Sequence, residues 1–379
     1  MQSGETGGTQ AMSYENFESE IEKTGFVLEH LASTVFRKNG WTIISNKYYI
    51  DDHQDVVREI DLVAYKTKNV GDFVVYTALI ISCKKDESNV WALLSRELDL
   101  RDPNRNFEPL HVWSNNKALR YQTQDAGFSK SYYESSRGLK IKALESPGVD
   151  IFAFQEMNKI SGTPKNDKNI FASITSLMKA QSYELDSLPS RKKLPCVYHF
   201  SLLSIVDSEI IKILFDENTK TASSINSETY IATYIIKRTA QSSRIRFIRF
   251  NYLEDVMAEY SELHDFNCGY FSRANEEFYK DAVRNRKKQD ILLKDFSEEV
   301  SRHLKWRIHR LFRQLINFGD LSLYWNKASE RLEIGLPNLK QEEIDKLNSD
   351  QESIDIVSKS LLVIYRYKGA WIFEVDIPF

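Results

Sequence analysis

The chain has 379 residues, enough for one large domain or two ordinary ones, and its 42% apolar and 28% charged residues with sparse Gly and Pro place it among globular proteins that need no staple to fold. A formal charge of −3 excludes a body coated in positive charge but leaves room for a local basic groove. Cys83, Cys196 and Cys268 lie far apart without CxxC spacing, which argues against a disulfide framework or a zinc site and suggests a reducing, cytoplasmic setting.

Residues 1–12 are polar and glycine-rich, with neither the basic start nor the apolar run of a secretion signal, and are expected to form a disordered leader. No window approaches the roughly 20 consecutive apolar residues that cross a bilayer. From Ser13 onward Phe17, Ile21, Leu28, Leu31 and Val35 recur at helical spacing up to Asn39-Gly40, which predicts one long first helix. WTIISNKYYI then reads as a strand and DDHQD as a turn. VVREIDLVAY and DFVVYTALIISCKK read as two more strands joined by the short polar KTKNVG, so the opening order is helix followed by three strands.

WALLSREL and NNKALRYQT predict helical turns, and residues 127–142, with no clear period, predict a long loop. VDIFAFQEM predicts a strand, NIFASITSLMKAQSYEL an amphipathic helix, and CVYHFSLLSIV, EIIKILF, TYIATYIIK and RIRFIRF further strands, with YLEDVMAEYSEL as a closing helix. The charged RNRKK leads into a helix expected around residues 295–317, with Phe296, Val300, Leu304, Ile308, Leu311 and Leu315 as its apolar stripe. LSLYWN, RLEIGL, LLVIYRY and WIFEVDI read as strands, the last two joined by a tight turn at Lys368-Gly369-Ala370. The expected architecture is α/β: a mixed sheet flanked by helices over residues 13–262, then a smaller α+β module over residues 263–379.

Chemistry is suggested by three separated groups. Glu29 lies on the first helix beside the small residues Gly25 and Ala32, Asp61 interrupts an otherwise apolar strand, and Ser82-Cys83-Lys84 ends the next strand. Strand alternation turns Ser82 and Lys84 to one face and Cys83 to the other. Antiparallel pairing of the two strands brings Asp61 beside that pair. A charge in an apolar strand is costly to bury without a partner or a metal, although an acid in a strand or a lysine at its end is by itself most often solvated.

On EIDLVAY and the apolar strand ending in CK, the chain resembles the PD-(D/E)-x-K, or restriction-endonuclease-like, nuclease superfamily, over roughly residues 13–85. The resemblance implies a metal-dependent endonuclease acting on DNA, a Mg²⁺ or Mn²⁺ cofactor, and a setting in restriction or anti-phage defence, as a homodimer or within a larger complex. Carried over by position, Asp61 is the central metal ligand, Glu29 a second one, the backbone carbonyl of Cys83 a third, and Lys84 the group that orients water and offsets developing charge. Ser82 departs from the family pattern, standing where Glu or Gln is usual. A neutral hydroxyl predicts looser metal binding, with compensation from Glu29, or from Glu59, Asp86 or Glu87. An alternative reading is a nuclease-like module that has lost catalysis and binds nucleic acid or a partner protein. A purely structural subunit is the third reading.

Other residues carry weaker signals. Tyr121-Gln122 is a flanking candidate, His199 reads as a core histidine, and the cysteines read as core fillers. Arg284, Arg286, Lys287, Lys288, Arg302, Lys305 and Arg313, and separately Lys130 to Lys142 with Tyr132, Tyr133 and Arg137, are candidate phosphate contacts. No GxxxxGK[ST] loop is present, so no built-in ATPase is expected.

Overall fold

A computed structural model describes residues 15–51, 55–99, 101–103, 105–315, 318 and 321–375. The expected leader, the middle of DDHQD and the end of WIFEVDI lie outside these residues. The elements in order are α1 (Glu15–Ile21), α2 (Gly25–Lys38), β1 (Thr42–Ile50), β2 (Val57–Val70), β3 (Phe73–Lys85), β4 (Asn89–Arg96), β5 (Val112–Ser114), α3 (Lys117–Thr123), α4 (Phe128–Gly138), β6 (Asp150–Asn158), α5 (Lys168–Arg191) and β7 (Cys196–Asp207). They continue with β8 (Ile210–Phe215), β9 (Lys220–Ile225), β10 (Ser227–Ile236), β11 (Thr239–Arg249), α6 (Leu253–Lys280), α7 (Arg286–Phe312), β12 (Ser322–Asn326), β13 (Arg331–Leu336), α8 (Gln341–Ser349), α9 (Gln351–Tyr365) and β14 (Trp371–Val375).

The architecture is mixed α/β, with several mixed sheets flanked by helices. The largest sheet has the order β1-β2-β3-β7-β11-β10, with β5 added on β7. β1, β2 and β3 form an antiparallel meander, β7 lies parallel to β3 and β11 parallel to β7. A second sheet runs β6-β4-β8-β9 and a third β12-β13-β14. The chain divides into two compact units, the first holding residues up to Asn115 together with Ala126–Tyr270, the second holding Asn116–Asp125 and the chain from Phe271. The expected division at 262/263 therefore falls inside α6, and α3 belongs to the second unit.

In the first unit α5 covers one face of the large sheet. Ile170, Ile174, Leu177 and Met178 pack with Val63, Ala78 and Ile80 in one buried cluster. Each such side chain contributes about 1.5–3 kcal/mol on burial. α2 packs against the β1-β2-β3 meander, with Leu28, Ala32 and Phe36 buried. In the second unit Phe296, Val300, Leu304 and Ile308 of α7 join Val357, Leu361 and Tyr365 of α9 and Leu332 and Ile334 of β13.

Several expectations are corrected. The first helix is two, because Thr24 takes an extended backbone and Thr and Gly are weak helix formers, so the chain restarts at Gly25. WALLSREL forms strand β4, whose Trp91, Ala92 and Leu93 are fully buried between β6 and β8; an apolar run of that length has no helical or strand period of its own. LLVIYRY is the end of α9, where Val357, Leu361 and Tyr365 keep helical spacing and Asp350 caps the first turn through the Ser353 amide at 3.0 Å. Lys368-Gly369-Ala370 is consequently a helix-to-strand link, since β14 runs parallel to β13.

Residues 128–138 form α4 rather than a loop, and Tyr132 and Tyr133 are buried in the first unit, their hydroxyls donating to Asn267 Oδ1 at 2.6 Å and to the Pro109 carbonyl at 2.8 Å. These rings are core. α7 begins at Arg286, capped by Asn285, and ends before Leu315, which is 83% exposed.

Candidate active site

β2 and β3 pair with Leu62 opposite Ile81 and Val63 opposite Ile80, which sets Asp61 beside Ser82 at the end of the ladder. Three donors converge on one carboxylate oxygen. Asp61 Oδ2 accepts from the Cys83 amide at 2.7 Å, from Ser82 Oγ at 3.2 Å and from Lys84 Nζ at 3.3 Å. Ser82 is buried, at 3% exposure, and its hydroxyl is therefore fixed by this bond. The other oxygen, Oδ1, accepts from no donor among the described residues. Lys84 Nζ also donates to the Cys83 carbonyl at 3.3 Å, and burial pushes the Cys83 thiol up, first of its causes, so the sulfur stays protonated.

Glu29 reaches the same neighbourhood from α2. Burial first, then the charges of Asp61 and Glu59, push its carboxyl up from 4.5 to about 7, with Lys84 pulling the other way. Glu59 in turn accepts from Asn46 Nδ2 at 2.9 Å, and Asn46 holds a left-handed backbone (φ 54°) within β1, a conformation Asn tolerates better than most residues. Asp61 and Glu59 thus push the Glu29 carboxyl up while Lys84, bonded to Asp61, pulls it down. A cation beside Glu29 and Asp61 would act in the same direction as Lys84.

Asp61, Glu59 and Lys84 line a cleft of about 680 Å³ between the sheet and the N-terminal half of α5. Its opposite side holds a second acid, Asp51, which is 1% exposed and ion-paired to Arg58 at 2.9 Å and to Lys179 at 2.9 Å. Lys168 also lines the cleft. Arg58 and Lys179 escaped the sequence reading because nothing local marks them: Lys179 meets Asp51 across 128 residues.

The remaining candidates go elsewhere. Asp86 Oδ1 accepts from the Asn89 amide at 2.9 Å and so closes the turn after β3, while Glu87 pairs with Lys85 at 3.2 Å. Tyr121 packs edge-on against Phe278 at 5.5 Å and Gln122 donates to the Ala274 carbonyl at 3.2 Å, both within the second unit. Arg286 pairs with Asp290, Lys288 with Asp281, Arg302 with Glu299 and Arg307 with Asp350, so much of the charge on α7 is answered locally. His199 lies against Tyr132 at 5.6 Å, and burial drives it down to about 3. It is a neutral core histidine.

Among the described residues no group of three His, Cys, Asp or Glu side chains stands close enough together to hold a metal ion unaided. No described helix is long and apolar enough to cross a membrane. No family model, no curated protein and no solved structure matches the chain.

Proposed function

We propose that the chain is a metal-dependent endonuclease of restriction-endonuclease-like fold that hydrolyses phosphodiester bonds of DNA at the Asp61 cleft. The observation that carries this reading is the convergence of Lys84 on Asp61 at 3.3 Å beside two further carboxylates, on the helix and adjoining strands that the resemblance requires. The α2-β1-β2-β3 order supports it as well. Its setting in restriction or anti-phage defence rests on the resemblance alone.

The donor set fits a small divalent cation. Mg²⁺ asks for oxygen ligands, keeps several waters and is commonly held by one or two carboxylates, so a cluster of three side chains is not required. Asp61 through its donor-free oxygen, Glu29, and the Cys83 carbonyl once Lys84 releases it are the groups that would hold Mg²⁺ or Mn²⁺. When bound, such an ion neutralises charge on the phosphate and makes a water more acidic. Asp61 is kept in place by three donors, so its free oxygen has a fixed direction. Glu29, with its carboxyl near 7, would have to be deprotonated to serve as a ligand. Lys84 stands as a fixed donor for the charge that develops on the phosphate oxygens. Lys168 offers a second cation to a neighbouring phosphate.

A second reading keeps the fold and the cleft but not the chemistry: a module that binds nucleic acid or a partner without cutting. It is favoured by Ser82, whose hydroxyl brings no charge and donates to Asp61. Incubating the purified chain with supercoiled plasmid and Mg²⁺ or Mn²⁺ separates the two. Nicking that disappears in Asp61→Ala supports the nuclease; equal nicking by both proteins sinks it.

A further inference from the structure

A second pocket of about 350 Å³ lies at the other end of α5, between its C-terminal half and the β1-β2-β3 meander. Beside the cleft, Leu177 and Ala180 of α5 seat on the sheet and leave a gap of only about 10 Å³, and no residue lines both the cleft and the second pocket. The two openings are therefore separate sites on one face.

The floor of this second pocket holds an unusual carboxylate. Glu184 is 3% exposed; its Oε2 takes Lys47 Nζ at 2.5 Å and Arg191 Nη2 at 2.8 Å, while Oε1 is buried without a hydrogen-bond partner among the described residues. A buried charged acceptor left unmet is destabilising, so the atom calls for an N–H or O–H donor from outside. The wall is aromatic. Tyr76 and Tyr198 stack at 4.1 Å, Tyr65 lies 6.2 Å from Tyr76, and Lys192 Nζ rests 4.6 Å from the Tyr76 ring and 5.4 Å from that of Tyr198. Three cations, Lys47, Arg191 and Lys192, thus face one carboxylate, and the pocket as a whole favours an anion.

We propose that this pocket binds one nucleotide, its base lying along the tyrosine wall and donating an N–H to Glu184 Oε1, its phosphate held by Arg191 and Lys192. The volume is at the low end of the roughly 300–1,000 Å³ of ligand pockets, which suits one nucleotide and not two. A phosphate alone leaves the rings and Oε1 without a partner, and an uncharged base leaves the cations without one. Aromatic walls hold bases of any sequence by stacking, because every base has a π-face. The same chemistry is offered by a free mononucleotide and by the 5′-phosphorylated end of a strand.

Calorimetric titration of the full chain with 5′-AMP, 5′-GMP and 5′-CMP, with inorganic phosphate, and with a 5′-phosphorylated oligothymidylate tests this. At least one mononucleotide, or the phosphorylated strand, binds more tightly than phosphate; whichever binds more tightly identifies the source. Lys192→Ala and Glu184→Gln each weaken that binding by about tenfold, the loss expected for one charge-assisted contact. Glu184→Gln touches a buried ion pair, so should it fail to fold, Lys192→Ala, at a partly exposed position, decides. Asp61→Asn, which disables the cleft of the proposed nuclease, leaves nucleotide binding intact. No binding at millimolar concentration, phosphate binding as tightly as any nucleotide, an unchanged affinity in Lys192→Ala, or loss of binding in Asp61→Asn overturns the proposal.

Discussion

Asp51 and Asp61 line one cleft, yet their neighbours treat them in opposite ways. Asp51 is buried with two cations, Arg58 and Lys179, bonded to its oxygens, so its charge is answered inside the protein. Asp61 has one ion pair among the described residues, to Lys84, and Glu29 nearby is pushed up to about 7, by burial first and then by the charges of Asp61 and Glu59. A folded chain could satisfy both acids. On the proposed reading, Asp61, with three donors gathered on one oxygen, is turned toward an ion, whereas Asp51 is a salt bridge that holds two elements together.

The largest effect that tests this contrast is on activity. Asp61→Asn lowers plasmid nicking by about a thousandfold and Lys84→Met by about a hundredfold, the ordinary range for removing a reacting or charge-stabilising group, with far-ultraviolet circular dichroism unchanged. Lys179→Met does the reverse: it strips one cation from a buried carboxylate and costs about 2–3 kcal/mol in urea unfolding, Arg58 keeping the loss at the low end of the usual range. Nicking by this variant, measured where it is folded, stays within a few-fold of wild type. Equal destabilisation in Asp61→Asn and Lys179→Met would erase the distinction between the two acids.

Glu29→Gln sharpens the comparison through pH. The folded carboxyl titrates near 7 against an ordinary 4.5, so ionising it disfavours the folded state: the relative stability is whole below about 4.5 and is lost as pH rises through about 7. Glu29→Gln is accordingly more stable than wild type at about pH 8, by about 1–2 kcal/mol once solvent screening of this half-buried group is allowed for, and the gain disappears at about pH 4. Saturating Mn²⁺ narrows or reverses the gain, because only the wild type offers the ion a carboxylate. The smallest effect belongs to Ser82→Ala. It removes one of three donors from Asp61, costs about 0.5–1.5 kcal/mol in urea unfolding, and changes nicking by less than about threefold.

How much of this was legible in the sequence follows from where the signals sit. Asp61 and Lys84 could be paired because strand alternation and a short connection bring them together within one meander, and the apolar run around each made the charge conspicuous. Glu29 was readable only as an acid on the right helix; its raised titration comes from burial first and then from the charges of Asp61 and Glu59, which only the fold brings near. Asp51 and Lys179 had no local mark. The elements misread were those whose period is hidden: β4, buried on both faces, and the end of α9, where Leu361-Leu362-Val363-Ile364 reads as a strand although only every third or fourth side chain of the helix is buried. α4 was hidden for a different reason, its buried positions being Phe128, two tyrosines and a serine, with no aliphatic residue among them.

The central claim is that the Asp61 cleft holds a divalent cation. Titrating the full chain with Mn²⁺ at about pH 8, by calorimetry or by paramagnetic relaxation of solvent water, tests it most directly. The wild type is expected to show a saturable site that is lost in Asp61→Asn, weakened in Glu29→Gln and unchanged in Lys179→Met. Identical titration curves for wild type and Asp61→Asn, or no binding by the wild type at millimolar Mn²⁺, would contradict it.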